Sequence, residues 1–90
     1  MPDWIWVFHG SGSRFASGVF SSRETATKWI KERALSGVLT AYPLDEGVYD
    51  WAVRESVFVI KSPEQETSDF VQKFTSASQP HVHFEDGDSE

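Results

Sequence analysis

Near its C-terminal end the chain carries two histidines and a carboxylate, His81, His83 and Glu85, whose types and spacing come nearest to chemistry. At i, i+2 and i+4 they project to one face if the segment is a β-strand, because successive side chains alternate. Two imidazoles and a carboxylate on one face are a zinc-type ligand set, and His9, at the end of an N-terminal apolar run, is a candidate fourth ligand. A zinc ion held there would lower the pKa of a bound water to about 7 and so supply a nucleophile at neutral pH. The spacing matches no zinc-finger or zincin pattern, and polar side chains pointing outward from a terminal segment account for it more simply.

Two other groupings carry less. His9-Gly10-Ser11-Gly12-Ser13 sets an imidazole beside hydroxyls, but a nucleophile elbow needs Gly-x-Ser-x-Gly on a strand-to-helix turn, and no Gly-Lys-Ser/Thr follows to make a phosphate loop. A hairpin turn explains it. Asp45, Glu46 and Asp50 lack the alternating oxygens and closing Glu of a calcium loop, and turn chemistry with a helix N-cap accounts for them. With no cysteine there is neither a disulfide framework nor a thiolate metal site. No cofactor is expected on the leading reading; zinc is the alternative.

The other notable supply is aromatic: four Trp, two Tyr and seven Phe in 90 residues. A chain this short buries only about 60 to 65 % of its unfolded surface, so large rings must do much of the packing. If Ile5 and Val7 face the helices, Trp4, Trp6, Phe8 and Tyr42 are left on the opposite sheet face as a patch that needs a partner, and a homodimer or another protein would cover it. The alternative is that a terminal segment or second helix folds over them as core.

Charge narrows the partners. Residues 1–45 carry five Lys/Arg against four Asp/Glu, and residues 46–90 carry three against ten. Clustered cations for phosphate contacts are lacking, so nucleic acid is not expected and a basic protein partner is permitted. The opening MPDWIWVF has no basic flank and too short an apolar run for a signal peptide or a membrane span, which points to a soluble cytoplasmic protein without membrane contact.

The elements that would position these residues follow from period and punctuation. Trp4 to His9 alternates as a strand, Gly10 to Ser13 turns, and Phe15 to Phe20 returns as its hairpin partner. Ser21 and Glu24 fit a capping box, Ala26, Trp29, Ile30, Arg33 and Ala34 recur at helical spacing, and Leu35 with Gly37 closes the helix. Val38 to Leu44 is a strand limited by Pro43. Either Val48 to Val53 is a strand or Asp50 caps a short helix that runs through Glu55, the helix being preferred. Val57 to Ile60 is β-branched and aromatic, hence a strand, and a helix should run from Pro63 to about Ala77. His81 to Phe84 makes a last short strand. The result is an α+β fold, a small mostly antiparallel sheet with two main helices packed on one face, in a single domain over residues 4–84 with an acidic disordered tail over 85–90.

Trp6-Val7-Phe8-His9-Gly10, Ser17-Gly18-Val19-Phe20-Ser21-Ser22, Leu35-Ser36-Gly37, Tyr42-Pro43-Leu44, Tyr49-Asp50-Trp51-Ala52 and Phe74-Thr75-Ser76-Ala77 together resemble a family of small bacterial proteins classed as a domain of unknown function. The resemblance spans about residues 4–86. It implies a bacterial cytosolic origin and carries no established activity. It also implies a His-aromatic-His stretch, which His81-Val82-His83 matches with Val in the aromatic position. Taken together, these features favour a non-enzymatic protein-interaction or accessory module, with a small metal-binding protein or metal-dependent hydrolase on His81, His83, Glu85 and His9 as the alternative.

Overall fold

The pleat of the first strand decides the architecture. In the structure, a computed structural model that describes residues 3–89, β1 (Trp4–Gly10) pairs antiparallel with β2 (Gly18–Phe20) on one side and β3 (Gly37–Pro43) on the other. β4 (His81–Glu85) and β5 (Asp88–Ser89) complete a five-stranded antiparallel sheet of order β2-β1-β3-β4-β5. Trp6 stands beside Phe20 and Ala41, Phe8 beside Gly18 and Leu39, and Leu39 beside Val82, so these residues share one face. Helix α1 (Arg23–Glu32) lays Ala26 and Ile30 on that face, and with Phe8, Leu39 and Phe84 they form the buried core. The expected α+β class and antiparallel sheet are what the chain adopts.

From the sequence two readings are open for β1, Ile5 and Val7 under the helices or the rings as core, and the structure has the rings as core, covered by α1. Trp6 and Phe8 pack beneath α1, with Phe8 only 1 % exposed. Glycine spacing supplies the reason. A Cβ on Gly18 would strike the Phe20 ring at 2.7 Å, and one on Gly37 would meet Phe8 Cζ at 2.9 Å. Both glycines lie on the side where large rings need room, and rings bury the most area there.

Helix α1 is capped one residue later than expected. Ser22, extended, accepts from the Thr25 N–H at 3.2 Å, while Ser21 is still leaving β2 and Glu24 takes no part. Its C-terminus is a Schellman turn on Ala34, not Gly37. Leu35 N–H bonds to Ile30 O at 3.0 Å, Ala34 N–H to Lys31 O at 3.2 Å, and Ala34 sits at φ 53°. Gly37 answers instead to its close approach to β1, where a side chain would fall on the His9 carbonyl oxygen.

Val48–Arg54 is the preferred short helix, α2, but its N-cap is Gly47, and Asp50 sits inside the first turn, where the helix dipole favours an acid. Trp51 meets Trp4 edge-on at 5.5 Å, which brings α2 to the same side of the sheet as α1. Val57 to Ile60 is not a strand. The N–H groups of Val57 and Phe58 both bond to Ala52 O, and Phe58 turns into a cluster with Tyr49, Phe70 and Phe74. The helix expected over 63–77 is a 3₁₀ turn (Pro63–Glu66) followed by α3 (Ser68–Gln72), with Thr67 extended between them and recapping through the Phe70 N–H. Tyr49 Oη donates to Gln65 O at 2.7 Å, which engages a carbonyl that a continuous α-helix would have used.

Residues 85–89, expected as a solvated tail, are ordered as the end of β4, the turn Asp86-Gly87 and β5; Glu90 lies outside the described residues. Asp86 and Gly87 have φ of 52° and 88°, the two positive values of a type I′ hairpin, and Gly87 N–H bonds back to Leu35 O at 2.8 Å. The strand expected over 15–20 shortens to Gly18–Phe20, leaving Phe15 in the loop, 77 % exposed.

Ala34 in the left-handed region costs about 1 kcal/mol, part of which a glycine returns through the entropy of the unfolded chain. Ala34→Gly is therefore expected to stabilise by about 0.5 kcal/mol and to raise Tm by about 2 to 4 °C in a thermal melt. Tyr49 offers a pH-resolved check. Burial first, then the charges of Glu66 and Asp50, push its phenol above the ordinary 10.0. A raised acid contributes stability that is complete below its unfolded pKa and is lost as pH rises through the folded one. Thermal melts should show a decline beginning near pH 10 that is smaller in Tyr49→Phe, and that variant should have a lower Tm at neutral pH because the bond to Gln65 O is gone.

Candidate functional site

Among the described residues, strand alternation leaves one face of the sheet without a helix over it. Ile5, Val7 and His9 of β1, Val19 of β2, Val38, Thr40 and Tyr42 of β3, and His81, His83 and Glu85 of β4 all belong to it by register. Val19 is 64 % exposed and Tyr42 36 %, while Ile5, Val7, Val38 and Thr40 are half-buried by their neighbours in the sheet. Its β2–β1–β3 half is mostly apolar, with His9 and Thr40 as its polar members, and its β4 half carries imidazoles and a carboxylate.

Of the residues expected at an interface, Trp4, Trp6 and Phe8 lie on the opposite face. Trp4 packs on Trp51, Trp6 lies against the core with the Arg23 guanidinium 6.0 Å from its ring, and Phe8 is sealed under α1. Only Tyr42 stands on the open face. The residues missed are Ile5, Val7, Val19 and Val38, and a signal for them was present. His9 alternates with Ile5 and Val7, and Thr40 with Val38 and Tyr42, so each apolar set that carries a polar member is the one that meets solvent.

The histidines are brought together only in part. His81 and His83 stack edge-on with ring centroids 5.3 Å apart. His81 Nδ1 lies 2.7 Å from Gln79 O and, since a carbonyl only accepts, is the donor in that bond. His9 shares a row with His83 through Val38, two strand spacings or about 10 Å away at the backbone, and its own Nε2 donates to Ser13 O at 2.7 Å. Glu85 is on the same face and exposed. Among the described residues no three His, Asp or Glu side chains form a group that could hold a metal ion.

Beside the imidazole pair runs a groove of about 350 Å³ between the strands and the loop after α3, lined among others by Thr40, Tyr42, Ser76, Gln79, His81 and His83. Gln79 is its buried anchor, donating to Ala41 O at 3.1 Å and accepting from Ser76 N–H at 3.3 Å, and Ala41 N–H bonds to Pro80 O. These bonds hold the loop against β3 and determine where the histidines emerge.

The acidic turn at 45–50 is structural. Arg54 donates to both oxygens of Glu46, at 2.9 and 2.8 Å, and these hydrogen bonds hold the Glu46 carboxyl below its ordinary 4.5. Such a group is ionised at neutral pH and has no proton to give. Asp45 takes the left-handed conformation of the turn, φ 62°.

Among the described residues no helix is long and apolar enough to cross a membrane. No curated protein and no solved structure matches the chain. A family match does cover residues 5–90, nearly the whole sequence: the chain belongs to the family described as the domain of unknown function DUF7710.

Proposed function

We propose that this domain is a non-enzymatic protein-interaction module whose contact surface is the helix-free face of its sheet. The observation that carries the reading is the run of Ile5, Val7, Val19, Val38 and Tyr42 across three adjacent strands with no helix over them. Contiguous apolar surface that is left partly open to solvent marks an interaction site. Its size suits a reversible contact. With seven residues in β1 and β3, five in β4 and three in β2, the four strands cover about 360 Å² at the usual spacings, a little under half of what each partner contributes to a standard stable interface. A second copy of the chain is the partner that can be tested directly, and the net charge of −6 on each copy opposes that pairing until salt screens it.

Sedimentation equilibrium from micromolar to millimolar protein is expected to show a weak dimer that tightens as salt rises. Val38→Asp, which sets a charge in the middle of the face without touching the core, should lower the association constant at least about tenfold and leave the Tm within a few degrees. A protein that stays monomeric throughout, or a Val38→Asp variant that associates as well as the parent, would overturn self-association through this face.

A second reading, a metal-binding protein or metal-dependent hydrolase, is supported by the orientation of His81, whose Nδ1–H is anchored on a backbone carbonyl as in many metal-ligating histidines. Two imidazoles supply half of a tetrahedral zinc site. On the leading reading, protein dialysed against zinc and then buffer retains much less than one equivalent, and His81→Ala and His83→Ala change nothing. Stoichiometric zinc that a chelator removes and either substitution abolishes would favour the metal reading.

A further inference from the structure

His81 and His83 are exposed neighbours on one face of β4, with ring centroids 5.3 Å apart and planes at 83°. Gln79 O engages His81 Nδ1 at 2.7 Å, so Nε2 is the nitrogen a metal ion would take, and the bond fixes the ring that carries it. Two imidazoles on alternate residues of a strand are a ligand pair, yet within one chain the set stops there. His9 is held two strands away by β3, with its Nε2 on Ser13 O, and among the described residues no third His, Asp or Glu joins the pair in a group that could hold a metal ion. A closed zinc site takes four ligands in a tetrahedron. One chain therefore presents half of such a site, on an open surface.

Symmetry can supply the other half, because a twofold contact sets the same patch against itself. With the axis between two apposed faces, crossing the strands midway between His81 and His83, β4 of one copy runs antiparallel over β4 of the other and each His81 meets the other copy's His83. By register the His83 row continues through Val38 to His9, and the His81 row through Thr40 to Val7. The same axis therefore stacks β3 on β3 and β1 on β1, and buries the aliphatic part of the face in the same contact. Sheets packed face to face stand about 10 Å apart, which puts an ion on the axis about 5 Å from either strand, within reach of an imidazole and its metal bond of about 2 Å. We propose that His81 and His83 are half of a bridging metal site, and that one zinc-type ion is held by the histidine pairs of two copies joined through the helix-free face. This rests on the self-association proposed above. The apolar face alone is smaller than a stable interface needs and each copy carries a net charge of −6, so the ion adds bonds and positive charge where the contact lacks both. Imidazole nitrogen suits zinc, whereas magnesium keeps to oxygen ligands. A single chain, with two ligands, releases the ion on dilution.

The test is sedimentation equilibrium of the full chain with zinc chloride, with magnesium chloride at the same concentration, and with neither. Zinc is expected to raise the association constant at least about tenfold, as does a ligand that binds the dimer alone and is present at about ten times its dissociation constant. Native mass spectrometry should find one zinc ion for every two chains. Magnesium should do no more than its ionic strength does. His81→Ala and His83→Ala, both at exposed positions, should each remove the zinc increment and leave the zinc-free association constant at the parent value, while Val38→Asp should weaken association with and without zinc. Zinc-free association that zinc does not strengthen would overturn the bridge and leave the face contact standing, whereas a zinc dimer indifferent to Val38→Asp would overturn the face contact and the bridge built on it. One zinc per chain without association, an equal effect of magnesium, or a zinc increment that survives both histidine substitutions would each overturn the proposal.

Discussion

The fold depends on Phe8 and Leu39 lying side by side beneath Ile30. These are the largest fully buried side chains, and each comes from a different element. Once that contact is made, the parity of β1 and β3 is settled along their whole length, because a shift of one residue would turn every side chain to the other face. Trp4, Trp6 and Ala41 must then follow Phe8 and Leu39 toward the helices, and Ile5, Val7, Val38 and Tyr42 must face away. The glycines at 18 and 37 belong to the same constraint, since each makes room for a ring on the packed side.

A chain of this size cannot bury everything in one layer, and its aromatic residues are divided accordingly. Trp6, Phe8, Phe20, Trp29 and Phe84 belong to the core between α1 and the sheet. Tyr49, Phe58, Phe70 and Phe74 form a second cluster that holds α2, α3 and the segment between them. Trp51, reaching Trp4, and Gln79, bonding Ala41 O, join this half to the sheet. In the absence of disulfides, these ring contacts take the place of cross-links in a region with little regular structure.

This division bears on function. Because all the rings but Tyr42 among those on the sheet are used on the helix side, the face without a helix is mostly aliphatic and hydroxylic and is bordered by imidazoles.

Much of the fold was legible from local chemistry. Strands over Trp4–His9, Val38–Leu44 and His81–Phe84, a helix capped at Ser21 and a short helix capped at Asp50 all depend on neighbours a few residues apart, and each appears with its ends shifted by a few residues at most. The Asp86-Gly87 pair was equally local evidence for a hairpin, and acidic composition obscured it. Other features required three dimensions. Which face of β1 is core depends on the room left by Gly18 and Gly37, residues distant in sequence. Val57–Ile60 carries strand-forming residues, yet Phe58 is drawn to Tyr49, Phe70 and Phe74, and the helix after Pro63 breaks where Tyr49 takes the Gln65 carbonyl. Spacing alone put His81 and His83 on one face, but their distance from His9 depends on β3 lying between them. By itself the sequence determined the element types and the α+β class, because those depend on local periodicity; the tertiary structure decided which surface was left open, because that depends on contacts between residues far apart in the chain.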